Sequence, residues 1–114
     1  MMETVEAGDR IDQILDVPGV DAVFFGLHDY SATAGFPGTA DQAPVMKRAM
    51  EIQQRVRDRR VPSGILASER ADIQRRLDEG FRMIGLGFDT MLLVQAATQA
   101  LEAAGRKGPK SAWY

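Results

Sequence analysis

Three short apolar runs, VDAVFFG (residues 20–26), PSGILA (62–67) and FRMIGLG (81–87), each give way to a stretch whose apolar residues recur at helical spacing. A strand followed by a helix, three times over, leaves few foldings open. It predicts an α/β protein with a parallel sheet and right-handed crossovers. The runs are rich in β-branched and aromatic residues and lack strict alternation, as expected of strands covered on both faces. Ahead of the first, Ala7, Ile11, Ile14 and Leu15 predict one amphipathic helix from Glu6 to Asp16, ended by Pro18 and Gly19. A loop containing Gly35, Pro37 and Gly38 should follow the first strand, and then a long helix over about 42–60 with Val45, Met46, Ala49, Met50 and Val56 inside. Ser68 is the expected N-cap of the next helix, with Ala71, Ile73 and Leu77 inward and Gly80 closing it. Asp89 or Thr90 should cap the last, in which Leu92, Leu93, Ala96 and Leu101 face inward.

Length and composition bound what such a sheet can serve. A chain of 114 residues supports one domain and not two. Its 45% apolar and 26% charged residues are ordinary for a globular protein. The net charge of −2, with no basic block interleaved with aromatics, leaves no electrostatic footprint for nucleic acid. RVRDRR (55–60) then reads as the solvated end of a helix. Without cysteine there is no disulfide, thiolate metal site or cysteine nucleophile. MMETVEAGDR lacks the pattern of a signal peptide, and no apolar run approaches the roughly 20 residues of a membrane span, so a cytoplasmic location is expected. The polar end RKGPKSAWY (106–114) is read as a tail, with Trp113 and Tyr114 awaiting a partner surface.

In parallel α/β folds the chemistry gathers at the carboxyl ends of the strands, here GLHD (26–29), LAS (66–68) and GFDT (87–90). The first helix should itself follow a strand, for which only Met1 and Met2 are present, ending at Glu3 and Thr4. Two residues cannot match the other strands. The chain is therefore expected to begin in a loop or inside a larger domain, and its open strand edges would need cover. Glu3 and Asp29 would sit at the carboxyl ends of two successive strands. Two carboxylates, completed by water and substrate oxygens, suit a hard octahedral cation such as Mg²⁺ or Mn²⁺ better than zinc. The same residues equally suit plainer roles, Glu3 as a helix-start acid and Asp29 as a loop cap.

The motifs ET (3–4), ILDVPGVDAVFFG (14–26), Asp29 with SA (31–32), GILA (64–67) and GFRMIGLGFDTMLL (80–93) resemble the carboxyl-terminal half of the HpcH/HpaI aldolase family. The likeness runs over about residues 2–103. It implies a partial (β/α)₈ TIM barrel, the last three to four strand–helix units over 1–105, with the first four units absent. It implies a metal-dependent pyruvate aldolase, of the 4-hydroxy-2-oxoheptanedioate aldolase type met in aromatic-compound catabolism, which cleaves 4-hydroxy-2-oxo acids to pyruvate and an aldehyde without a Schiff-base lysine. Glu3 and Asp29 fall on the two protein ligands of the divalent cation, Mg²⁺, Mn²⁺ or Co²⁺. Gly26, Leu27 and His28 fall on the loop whose backbone meets the pyruvate carboxylate, and Leu66 and Phe88 on apolar positions of the pyruvate or aldehyde pocket. Leu27 stands where the family has proline, His28 where it has a small residue, Tyr30 in place of leucine and Met1 in place of glutamine, which leaves the aldehyde preference open.

The resemblance also implies an arginine that holds developing charge and a histidine with an acidic partner, all in the amino-terminal half. None is in this chain, so no catalytic acid or base is assigned, and little or no turnover is expected unless a complementing amino-terminal half is supplied. A homo-oligomer, with the last helix on a neighbour, is expected from the same source. Two other functions stay open: a non-catalytic half-barrel that pairs its sheet with another chain, and a lyase of the citrate-lyase β type acting on coenzyme A thioesters.

Overall fold

The computed structural model describes residues 1–40 and 42–108. Its elements run α1 (Val5–Asp9), α2 (Ile11–Leu15), β1 (Val23–Phe25), α3 (Leu27–Thr33), α4 (Ala43–Asp58), β2 (Ser63–Leu66), α5 (Arg70–Asp78), β3 (Met83–Gly85) and α6 (Asp89–Ala103). The strands form one parallel sheet in the order β1-β2-β3, as the repeated strand–helix pattern predicts. Met2 adds a single parallel bridge outside β1, donating its N–H to the Phe24 carbonyl (2.8 Å) and accepting from the Gly26 N–H (3.0 Å).

Register fixes the two faces of the sheet. Phe24 lies opposite Gly64 and Gly64 opposite Met83; Phe25, Ile65 and Ile84 form the next row, and Leu66 pairs with Gly85. Alternation sends Met2, Val23, Phe25 and Ile65 to one face, where they pack with Ile11, Tyr30, Val45, Ala49, Ile52, Val56 and Phe81. The rings of Phe25 and Phe81 meet edge to face, with centroids 5.6 Å apart. The other face carries Phe24, Gly64, Leu66, Met83 and Gly85. It is not covered as the sequence suggested: Met83 is 39% exposed, and Phe24 and Leu66 are half-buried.

The single helix expected over Glu6–Asp16 is two, parted at Arg10 (φ −95°, ψ 17°). Gly8 explains the break. It lets α1 approach so closely that an added Cβ would lie 2.6 Å from Ile52 Cδ1, and glycine weakens the turn that would have carried the helix on. Ile14, expected inside, is exposed. The helix α4 forms as anticipated and also buries Ile52 and Gln53. The loop expected after β1 instead opens with α3, which buries Leu27, Tyr30 and Ser31.

Glu69, not Ser68, is the N-cap of α5, and Ala71 and Leu77 are exposed. Arg76 takes the inner position, its stem buried and its guanidinium ion-paired to Asp72 and Glu79 at 3.2 and 3.1 Å. The helix α6 departs furthest from expectation. None of its residues is buried; Leu92 is 51% and Leu93 71% exposed, and Phe88 rather than Asp89 or Thr90 is its N-cap. With no buried residue, α6 does not turn its apolar side into the core. Trp113 and Tyr114 lie outside the described residues. No helix among the described residues is long and apolar enough to cross a membrane.

Candidate metal and substrate site at the carboxyl rim

The bridge between Met2 and Phe25 sets the next pair, Glu3 beside Gly26, in line with Leu66 and Gly85. Because Met2 points into the helix-covered core, Glu3 points to the opposite face. Its side chain lies on Gly26: a Cβ built there would fall 2.6 Å from Glu3 Cγ and 2.9 Å from Glu3 Oε1. The helix α3 starts directly after Gly26, and Asp29 occupies its first turn, exposed. Asp29 is three positions beyond Gly26, against whose backbone the Glu3 side chain lies.

Further contacts brace this arrangement. The Val5 N–H donates to Thr33 Oγ1 at 3.1 Å, and the Thr33 hydroxyl donates to the Tyr30 carbonyl at 2.9 Å, tying the start of α1 to α3. Thr4 caps α1 by accepting from the Ala7 N–H at 3.0 Å. Tyr30 is buried in the core, and that burial pushes its phenol up while Arg48 opposes.

Among the described residues nothing pairs with the two rim carboxylates, a state they share with Asp21, Glu69 and Glu102. Asp9, Asp12 and Asp16 pair with Arg48, Arg55 and Arg59. Neither Glu3 nor Asp29 joins an ion pair or side-chain hydrogen bond among the described residues. No group of three or more His, Asp or Glu side chains that could hold a metal occurs among them either. The donor set is two carboxylates, which fits a hard cation that keeps water or substrate oxygens on its other positions. The cradle at Gly26, which a Cβ would fill, leaves room for the Glu3 arm.

Of the remaining expected site residues, His28 is exposed in the first turn of α3, its carbonyl accepting from the Ser31 hydroxyl at 2.7 Å. The Leu27 side chain is buried in the core, so only its backbone faces the rim. Gly26 has its N–H engaged by Met2 and its carbonyl accepting from the Tyr30 N–H at 3.0 Å. Leu66 joins the row of Glu3, Gly26 and Gly85, whereas Phe88 is 56% exposed ahead of α6. Sequence reasoning missed Thr33 and the contact between Gly26 and Glu3, because a two-residue strand stub has no periodicity from which to read its register.

A parallel α/β sheet with free carboxylates at its carboxyl rim has the general form of a strand-end active site. The HpcH/HpaI aldolase/citrate lyase family profile matches residues 1–96, and the chain belongs to this family. A hydroxypyruvate/pyruvate aldolase of Roseovarius nubinhibens is 39% identical over 100 residues, covering 88% of this chain and 39% of that protein. A 2-keto-3-deoxy-L-rhamnonate aldolase of Shigella dysenteriae is 36% identical over 111 residues, covering 96% and 42%. The crystal structure of an HpcH/HpaI aldolase/citrate lyase family protein from Burkholderia cenocepacia superposes with a TM-score of 0.85 at 27% identity, covering 91% of this chain and 40% of that one. The chain spans about two fifths of the length of these curated relatives.

Proposed function

We propose that this chain carries the metal-holding portion of a pyruvate aldolase site, on the last three to four strand–helix units of a (β/α)₈ barrel. The observation that supports this most is that both acids stand at the carboxyl rim of the sheet, Glu3 with its side chain on Gly26 and Asp29 in the first turn of α3. Each would give a carboxylate oxygen to one Mg²⁺, Mn²⁺ or Co²⁺ ion. Bound there, such a cation supplies Lewis-acid stabilisation of the negative charge that grows on the keto oxygen when a 2-oxo acid loses a methyl proton.

The chain's own residues would do the rest of the binding. The free backbone N–H groups of Leu27 and His28 face the substrate carboxylate, Leu66 lines the inner side of the row, and Phe88 borders the aldehyde end. The exposed His28 stands where an acceptor aldehyde would pass, which makes it the residue to examine for aldehyde preference. The reaction is reversible cleavage of a 4-hydroxy-2-oxo acid to pyruvate and an aldehyde, and the names of the two aldolase relatives support that class. Proton transfer needs an acid/base pair that this chain lacks. Little or no turnover is therefore expected from these residues alone, and a partner that completes the barrel should be needed for activity.

Manganese binding, followed by the loss of the free Mn²⁺ electron paramagnetic resonance signal, tests the site. Glu3→Gln and Asp29→Asn should each weaken binding at least tenfold, a loss of about 1.4 kcal/mol; equal affinity in all three proteins would refute the assignment. Pyruvate release from a 4-hydroxy-2-oxo acid by the pure chain with Mg²⁺ would overturn that expectation. The half-bare sheet and the uncovered α6 favour a second reading, an interaction module that joins a further copy or a complementing half. A monomeric mass in gel filtration at all concentrations would count against pairing with itself.

A further inference from the structure

We propose that Gly26 is a positioning residue for Glu3: by lacking a Cβ, it leaves the space in which the Glu3 carboxylate arm lies at the rim. The proposal rests on the reading of Glu3 and Asp29 as cation ligands and adds the element that makes room for the first. Three reasons for a glycine can be separated at this position. Its backbone (φ −93°, ψ 79°) is outside the left-handed region, so conformational freedom does not demand glycine. Its N–H is engaged by the Met2 carbonyl, so it offers no donor to a substrate. What remains is space.

A Cβ at Gly26 would stand 2.6 Å from Cγ, 2.9 Å from Oε1 and 3.2 Å from Cδ of Glu3, overlapping the whole carboxylate arm. Glu3 cannot retreat by moving its backbone. On one side Met2 is held by two hydrogen bonds to β1, and on the other Thr4 caps α1. The side chain would have to leave its rotamer and carry the carboxylate off the Gly26 backbone. The other two crowded glycines of the sheet differ in kind. Gly64 and Gly85 face Phe24, Met83 and Leu66 and serve apolar packing. Within this sheet, Gly26 alone among the described residues is crowded by a charged side chain.

The test is a double-mutant cycle on Mn²⁺ binding, joined to a metal-free readout. Gly26→Ala should weaken Mn²⁺ binding at least tenfold in the native background and leave it unchanged in a Glu3→Gln background. Without metal, the ¹³C carboxyl resonance of the Glu3 side chain should move on Gly26→Ala while the far-ultraviolet circular dichroism stays native. Unchanged affinity, equal losses in both backgrounds, or a stationary resonance overturns the proposal. A resonance that moves in a protein whose native form binds Mn²⁺ no better than Glu3→Gln upholds the steric role and refutes the metal reading instead.

Discussion

Arg60 has a positive φ of 58°, the only non-glycine residue so placed among those described. It follows the last turn of α4, where the Val61 N–H returns to the Val56 carbonyl at 3.2 Å, a left-handed helix stop of the kind glycine usually fills. Gly80 and Gly105 serve the same purpose after α5 and α6, with Phe81 and Arg106 closing onto Arg76 and Leu101. Arg60→Gly should therefore raise stability by about 0.5–1 kcal/mol, the left-handed cost of about 1–2 kcal/mol less the added freedom of the unfolded chain. Urea denaturation would show it as a higher midpoint, and a lower midpoint would contradict it. Phe81→Ala should act in the other direction by about 3–5 kcal/mol, since it empties a fully buried site against Phe25. In the candidate site, Glu3 and Asp29 were legible as residue types at strand ends. The role of Gly26 was not, because it depends on which residue of β1 faces a two-residue stub.

Along the contact of α1 and α2 with α4, three ion pairs form a ladder: Asp9 with Arg48 at 2.7 Å, Asp12 with Arg55 at 2.5 Å, and Asp16 with Arg59. The hydrogen bond from Arg55 holds the Asp12 carboxyl below its ordinary value of 3.8. A carboxylate whose folded-state value is depressed contributes stability above its unfolded value and loses it as pH falls through the folded one. The melting temperature should thus drop as pH is lowered from about 4, and Asp12→Asn should flatten that drop. A melting curve whose acid limb is the same in the variant would remove Asp12 from the account. Added salt should lower the native melting temperature only slightly, because these pairs are solvent-exposed. The ladder was invisible in the sequence, where RVRDRR reads as a solvated helix end, since the pairing depends on how closely Gly8 lets α1 approach α4. Strand centres were legible because apolar β-branched and aromatic runs fit little else. The break at Arg10 and the helix α3 were not, as Gly8 and Tyr30 act through tertiary contacts that local pattern does not carry.

Taken whole, the described residues have a radius of gyration of 16.4 Å, against about 13 Å expected for a compact domain of this length. The helix α6 has no buried residue, and its Leu92, Leu93, Val94 and Leu101 are all exposed. The sequence pattern predicted Leu92, Leu93, Ala96 and Leu101 facing inward, and they are not buried, because amphipathicity marks an apolar side without saying what covers it. A 15-residue helix that buries none of its residues draws little support from the core and is only marginally stable in water. Amide exchange should accordingly divide the molecule. In dilute solution, amides of α6 should exchange at least about a hundredfold faster than those of α4, whose Val45, Ala49, Ile52 and Val56 sit in the core. If α6 docks on a second chain, its protection must rise with protein concentration while that of α4 stays level, as mass action requires. Protection of α6 equal to that of α4 in the dilute monomer would mean that the helix is supported within its own chain, and the case for an intermolecular docking face would fail.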